Sequence, residues 1–212
     1  MFEMNNNKVT IIGEVGKEFK FDHEVYGEKF YTTEVVVKRL SSYEDRIAVI
    51  VSDRLLDMSQ DYTGKHIMIN GEFRSFNKLI GENKKKLLLF VFAKEVELVD
   101  GSSADLTSNT IELTGYLCKK PIYRETPKKR EIADICLAVN RSYSKADYIP
   151  CICWGRTAKF ISKFETGTLV NVTGRIQSRN YTKILSETES AEYTVYEVSV
   201  IGLEVVNNNL ED

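Results

Sequence analysis

Histidine, proline and tryptophan are scarce in this chain, at two, three and one residues among 212, and their scarcity narrows the chemistry. His23 and His66 lie near no cysteine or carboxylate cluster at ligand spacing, so the sequence supports neither a metal centre nor a histidine catalyst. Cys118, Cys136, Cys151 and Cys153 form no CxxC pair and no disulfide framework, and they read as reduced thiols buried like small hydrophobes. Gly13-Glu14-Val15-Gly16 and Gly155-Arg156-Thr157 lack the spacing and the lysine of a phosphate-binding loop. No apolar run suits a membrane span, and Met1 to Asn7 carry neither the basic stretch nor the apolar segment of a secretory signal. The expectation is a cytoplasmic protein without metal or other cofactor, and not an enzyme.

What is present is an ordinary globular composition, 42% hydrophobic and 28% charged, arranged as an internal repeat. Asn7-Lys8-Val9-Thr10-Ile11-Ile12-Gly13 returns 102 residues later as Asn109-Thr110-Ile111-Glu112-Leu113-Thr114-Gly115. Asp45 to Val49 returns as Asp147 to Cys151 at the same offset, and Gly71 to Ser75 returns as Gly174 to Ser178 at an offset of 103. A repeat this long marks a duplicated domain. The reading is a first domain over 1–99, a small polar linker over 100–108, a second domain over 109–207 and a short tail over 208–212.

Within copy one, five stretches alternate apolar and polar residues or run β-branched: Val9 to Val15, Thr32 to Arg39, Arg46 to Ser52, His66 to Phe73 and Leu87 to Val96. A helix is expected between the third and fourth stretches, over Asp53 to Asp61 in copy one and Thr157 to Phe164 in copy two. The predicted fold class is therefore mainly all-β, two tandem five-stranded oligonucleotide-binding (OB-fold) barrels, each with a short helix between strands three and four.

Charge and side-chain parity then separate the copies. From Lys119 to Lys183 there are 14 Lys/Arg against 5 Asp/Glu, whereas copy one through Asp105 has 15 against 18. A local excess of this kind presents a basic face, and phosphate is its usual partner. Alternate residues of a strand face opposite ways, so if Ile149, Cys151 and Cys153 fill the interior, Tyr148 and Trp154 stand outside. The same rule puts Ile135, Leu137 and Val139 inside on the second strand, and Val172, Gly174 and Ile176 inside on the fourth. Tyr143, Tyr148, Trp154 and Tyr181 then share an outer surface with Arg141, Lys145, Arg156, Arg175, Arg179 and Lys183. Rings among cations suit unpaired bases on a phosphate backbone.

Copy two resembles the bacterial single-stranded DNA-binding proteins from Asn109 to about Val205, in the segments Asn109 to Gly115, Leu137 to Tyr143, Asp147 to Arg156 and Gly174 to Tyr181. The resemblance implies base stacking on Tyr143, Tyr148, Trp154 and Tyr181, with little sequence preference, in replication, recombination or repair. It also implies four barrels per assembly, hence a homodimer of this chain, and contacts with replication or repair proteins. Copy one holds Ser41, Arg46, Ser52 and Lys78 at the four ring positions, so it is expected to add little direct affinity beyond an auxiliary path through Arg39, Arg46, Arg74 and Lys78. The chain stops at Asn207 to Asp212 without the family's flexible tail, so recruitment by that tail is not expected. Two alternatives stay open: an accessory module of replication that acts mainly through protein contacts, and an RNA-binding protein using the same surface.

Overall fold

Period-two patterning produces a molecule built almost wholly of strands. The computed structural model describes residues 5–39, 41, 43–79, 85–100, 108–184 and 190–206, the side chains of 181–193 excepted. In chain order the elements are β1 (Asn7–Val15), β2 (Lys20–Val25), β3 (Glu28–Lys38), β4 (Glu44–Ser52), β5 (His66–Leu79), β6 (Lys85–Val99), β7 (Ser108–Leu117), β8 (Ile122–Glu125), β9 (Glu131–Arg141), β10 (Lys145–Trp154), α1 (Gly155–Ile161), β11 (Leu169–Ile184) and β12 (Ser190–Val205).

All the strands join one sheet in the order β2-β3-β4-β6-β5-β1-β7-β11-β12-β10-β9-β8. That order is a palindrome once each strand of copy one is matched with its repeat in copy two. In both copies the first strand also reaches the third, β1 to β3 and β7 to β9, which closes five strands into a ring. Side chains pointing into the rings are almost fully buried: Ile11, Ile47, Ile67 and Phe73 in copy one, Leu113, Leu137, Ile149 and Ile176 in copy two. Each such group stabilises the fold by roughly 1.5–3 kcal/mol relative to exposure, so these interiors dominate the energetics.

At two repeated glycines the backbones of neighbouring strands come close. A Cβ on Gly71 would overlap the Phe92 carbonyl oxygen, and one on Gly174 would overlap that of Ser199. Both sit at register shifts, between Asn70 and Gly71 and between Thr173 and Gly174, so the ladder bulges at the same place in each ring.

The copies are joined through their first strands. β1 and β7 pair antiparallel, with Asn7 opposite Leu113, Val9 opposite Ile111 and Ile11 opposite Asn109. Because Val9 and Ile111 are repeat equivalents facing each other, this pair marks the centre of a pseudo-two-fold arrangement.

Three sequence expectations need correction. Asp53 to Asp61 is a run of turns rather than a helix. The Asp57 carboxylate accepts hydrogen bonds from the Ser59 N–H (3.0 Å), the Ser59 hydroxyl (2.7 Å) and the Gln60 amide (3.0 Å), local pairings that compete with a helical ladder. In copy two the helix is Gly155–Ile161, shorter and earlier than Thr157 to Phe164, and it buries Ala158 and Ile161 while Phe160 stays exposed against Phe164. Each copy also has a sixth strand, β2 or β8, that the pattern did not reveal. Every residue of both is exposed, so neither carries an alternation to read. β2 returns into β3 through Tyr26 and Gly27, both at positive φ (51° and 79°), as a two-residue hairpin turn requires.

Candidate nucleic-acid interface

The surface predicted from parity is assembled mainly by β9 and β10 of copy two. β10 buries Ile149, Cys151 and Cys153, and it turns Tyr148 and Trp154 outward at 47% and 37% exposure. Six residues of strand separate these two rings by about 20 Å. Ile152, of the outward parity, is nonetheless covered, so the exposed surface is interrupted between the rings. Tyr143 sits at the tip of the β9–β10 hairpin, 82% exposed and at φ 61°. The indole N–H of Trp154 donates to the Ser199 hydroxyl at 3.2 Å, which pins one edge of the ring to β12. The side chains of Tyr181 and Lys183 lie outside the described residues.

The cations divide into two groups. Among the described residues, Lys145, Arg156 and Arg179 have no ion-pair partner, and Lys145 and Arg179 are exposed. Arg141 and Arg175 are instead committed to buried carboxylates. Arg141 donates to Asp147 at 3.1 Å, and Arg175 reaches across the copies to Asp45 at 3.3 Å. Burial is the leading cause that lowers the Arg175 pKa, helped by nearby Arg39 and opposed by Asp45. The copy-one cations are paired as well: Arg39 with Asp45, Arg46 with Glu34 (3.0 Å) and Glu44 (3.3 Å), and Arg74 with Glu72. Lys78 is exposed at the far end of β5.

These pairs belong to a reciprocal joint that sequence reasoning missed. Asp45 accepts the Ser178 N–H at 2.9 Å, and its repeat Asp147 accepts the Ser75 N–H at 2.7 Å. The Ser178 hydroxyl takes the Arg46 N–H at 2.8 Å, and the Ser75 hydroxyl takes the Tyr148 N–H at 2.9 Å. Each carboxylate is fully buried and each strand arm, β5 or β11, grips the other copy. The symmetry is incomplete: Asp147 Oδ2 accepts no hydrogen bond and lies 4.0 Å from Arg74, whereas both Asp45 oxygens are engaged. The signal was present in the sequence, because Arg39 with Asp45 and Arg141 with Asp147 recur at one offset. Copy one thus holds the backbone of Tyr148, a ring on the copy-two surface.

The four thiols are free, and burial pushes those of Cys151 and Cys153 upward, the latter to about 12. Cys151 and Cys153 therefore stay uncharged near neutral pH and pack as small core groups. No helix among the described residues is long and apolar enough to cross a membrane.

Comparison with known proteins bears on the fold and the family. The fold matches the wild-type single-stranded DNA binding protein from Thermus aquaticus over 96% of this chain and 94% of that one, with a TM-score of 0.76 at 18% identity, a likeness of fold alone. The chain is 39% identical over 80 residues to single-stranded DNA-binding protein 1 of Lactococcus lactis, spanning 34% of this chain and 53% of that protein. It therefore covers about half the length of that relative. It is 36% identical over 113 residues to single-stranded DNA-binding protein 2 of Listeria monocytogenes, spanning 49% of this chain and 68% of that one. The model of the single-strand binding protein family matches residues 108–202, and the chain belongs to that family.

Proposed function

We propose that the chain binds single-stranded DNA with little sequence preference and serves replication, recombination or repair in the bacterial cytoplasm. In this reading residues 1–99 and 109–207 are two tandem oligonucleotide-binding domains, and two chains pair to give four barrels. The outer face of copy two carries the principal site. Bases stack on Tyr143, Tyr148, Trp154 and Tyr181, while Lys145, Arg156, Arg179 and Lys183 hold phosphates. Weak preference follows because every base offers a π-face to a ring. The supporting observation is the exposure of Tyr143, Tyr148 and Trp154 on one copy beside cations that no carboxylate pairs with among the described residues.

Catalysis has no place in this reading: binding alone sequesters the strand. The sole tryptophan is at the proposed site, so titration with oligo(dT) reads it directly. Strong quenching of Trp154 that weakens as salt is raised is the expected result. An unchanged emission spectrum at saturating oligonucleotide would sink the stacking site and leave the protein-docking module as the better reading.

A further inference from the structure

Each ring closes through a short ladder. β7 meets β9 at Tyr116 with Ala138 and Leu117 with Leu137, and β1 meets β3 at Glu14 with Val36 and Val15 with Val35. One further backbone bond continues each ladder: the Cys118 N–H donates to the Cys136 carbonyl at 2.9 Å, and the Gly16 N–H, its repeat, donates to the Glu34 carbonyl at 2.8 Å. Cys118 and Cys136 therefore stand directly opposite each other across the seam that closes copy two.

The copies secure this seam by different chemistry. In copy one the Glu34 carboxylate bridges Lys17 and Arg46, each at 3.0 Å, and so ties the closure by charge. A Cβ on Gly16 would stand 3.7 Å from that carboxylate, which shows that side chains at these two positions meet. In copy two Cys118 replaces Gly16, Cys136 replaces Glu34 and Tyr148 replaces Arg46, so the ion pairs give way to two facing thiols. Of the four thiols these two are only partly covered, whereas Cys151 and Cys153 are buried. Burial pushes the Cys136 thiol up to about 12, and a hydrogen bond with the Cys118 side chain adds to the rise. Opposed residues joined by a ladder bond have Cα atoms about 5.5 Å apart, inside the roughly 4.4–6.8 Å that a disulfide spans.

We propose that Cys118 and Cys136 are a reversible oxidation site that takes a small-molecule disulfide as co-reactant and forms a cross-strand disulfide locking the closure of copy two. One thiol, as its thiolate, attacks a sulfur of the small disulfide and displaces one small thiol. The second, once deprotonated, attacks the protein sulfur of that mixed disulfide and displaces the other. The pair gives up two electrons and two protons, and the small disulfide leaves as two thiols. A high thiol pKa favours the closed form, because a poorly stabilised thiolate is a poor leaving group. Cys136 also faces Pro150 on β10, and the neighbouring pair on that face is Ala138 with Tyr148. A change of oxidation state therefore lies one residue pair from that ring, whatever the ring binds.

The test incubates the full chain with oxidised glutathione, alkylates it under denaturing conditions and maps the digest by mass spectrometry. The expected product is a peptide pair joined through Cys118 and Cys136 with the loss of two hydrogens, Cys151 and Cys153 alkylated, and all four thiols restored by dithiothreitol. Because the bridge closes the loop from 118 to 136 in the unfolded chain, the oxidised protein is expected to melt roughly 5–10 °C higher. In Cys118→Ser and in Cys136→Ser the remaining thiol is expected to hold a glutathione adduct that does not resolve, and the gain in melting temperature is lost. Four free thiols in the treated wild-type chain, or an adduct that persists there as in the serine variants, overturns the site. A bridge that forms without raising the melting temperature overturns the lock.

Discussion

The two copies share a ring of strands and differ in what they show to solvent. In copy two, β10 and the turn that leads into it show Tyr143, Tyr148 and Trp154 to solvent beside Lys145; in copy one the matching ring positions hold Ser41, Arg46 and Ser52, and Arg46 is bound to Glu34 and Glu44. Interior positions agree closely, as Ile11 with Leu113, Ile47 with Ile149 and Phe73 with Ile176 illustrate. The difference teaches that packing fixed the inner face of both copies, while the outer faces diverged. One copy shows rings beside cations, and the other braces it through the reciprocal carboxylate joint.

The largest effect is expected at the joint. Removing a buried carboxylate that serves two cations leaves them uncompensated at about 3–5 kcal/mol, so Asp45→Ala should lower the melting temperature by roughly 10 °C. Asp147→Ala should fall short of that loss, because one of its oxygens is already without a hydrogen bond. Equal losses in thermal melts would show that the joint is more symmetric in energy than in geometry. Next in size, Trp154→Ala should weaken single-strand binding by about 1–3 kcal/mol, roughly tenfold or more, whereas Ser52→Ala at the matching place in copy one should leave affinity where it was. A matching loss in the Ser52 variant would erase the distinction between the faces.

A finer probe is ionic strength. Replacing Lys145 or Arg156 with Ala should each flatten the slope of log affinity on log salt by about 0.7, the increment for one single-strand phosphate. Arg46→Ala, whose guanidinium is held by Glu34 and Glu44, should leave the slope unaltered. The smallest effect is chemical. With burial raising the Cys153 thiol to about 12 and Cys151 upward too, both stay protonated near neutral pH, and thiolate appears only as pH climbs toward the raised values. Iodoacetamide at about pH 8 should therefore spare both in the native chain, and all four cysteines being in copy two makes this a report on that copy alone. Rapid modification of Cys153, read by mass spectrometry, would mean that copy two opens far more readily than its packing implies.

Much of this was legible in the residues because burial imposes a period of two. Ile149, Cys151 and Cys153 inside with Tyr148 and Trp154 outside follows from strand geometry alone. β2 and β8 escaped because an edge strand exposed on both faces has no such constraint. The expected helix over Asp53 to Asp61 failed because carboxylate and hydroxyl side chains hydrogen-bond locally and compete with the helix. Part of the expected phosphate set proved to be engaged by carboxylates: Arg141 by Asp147, six residues away, and Arg175 by Asp45, 130 residues away, a partner that topology sets rather than neighbours in sequence.

The antiparallel seam of β1 and β7 has an evolutionary consequence. When two separate molecules meet across a two-fold axis, any substitution appears on both sides at once, and dilution can part them. Here both sides of the seam are encoded separately and travel on one chain, so neither mass action nor shared inheritance ties their sequences together. Drift on one side is tolerated so long as the other still does the work, which is the circumstance in which an inherited surface becomes raw material for a new one.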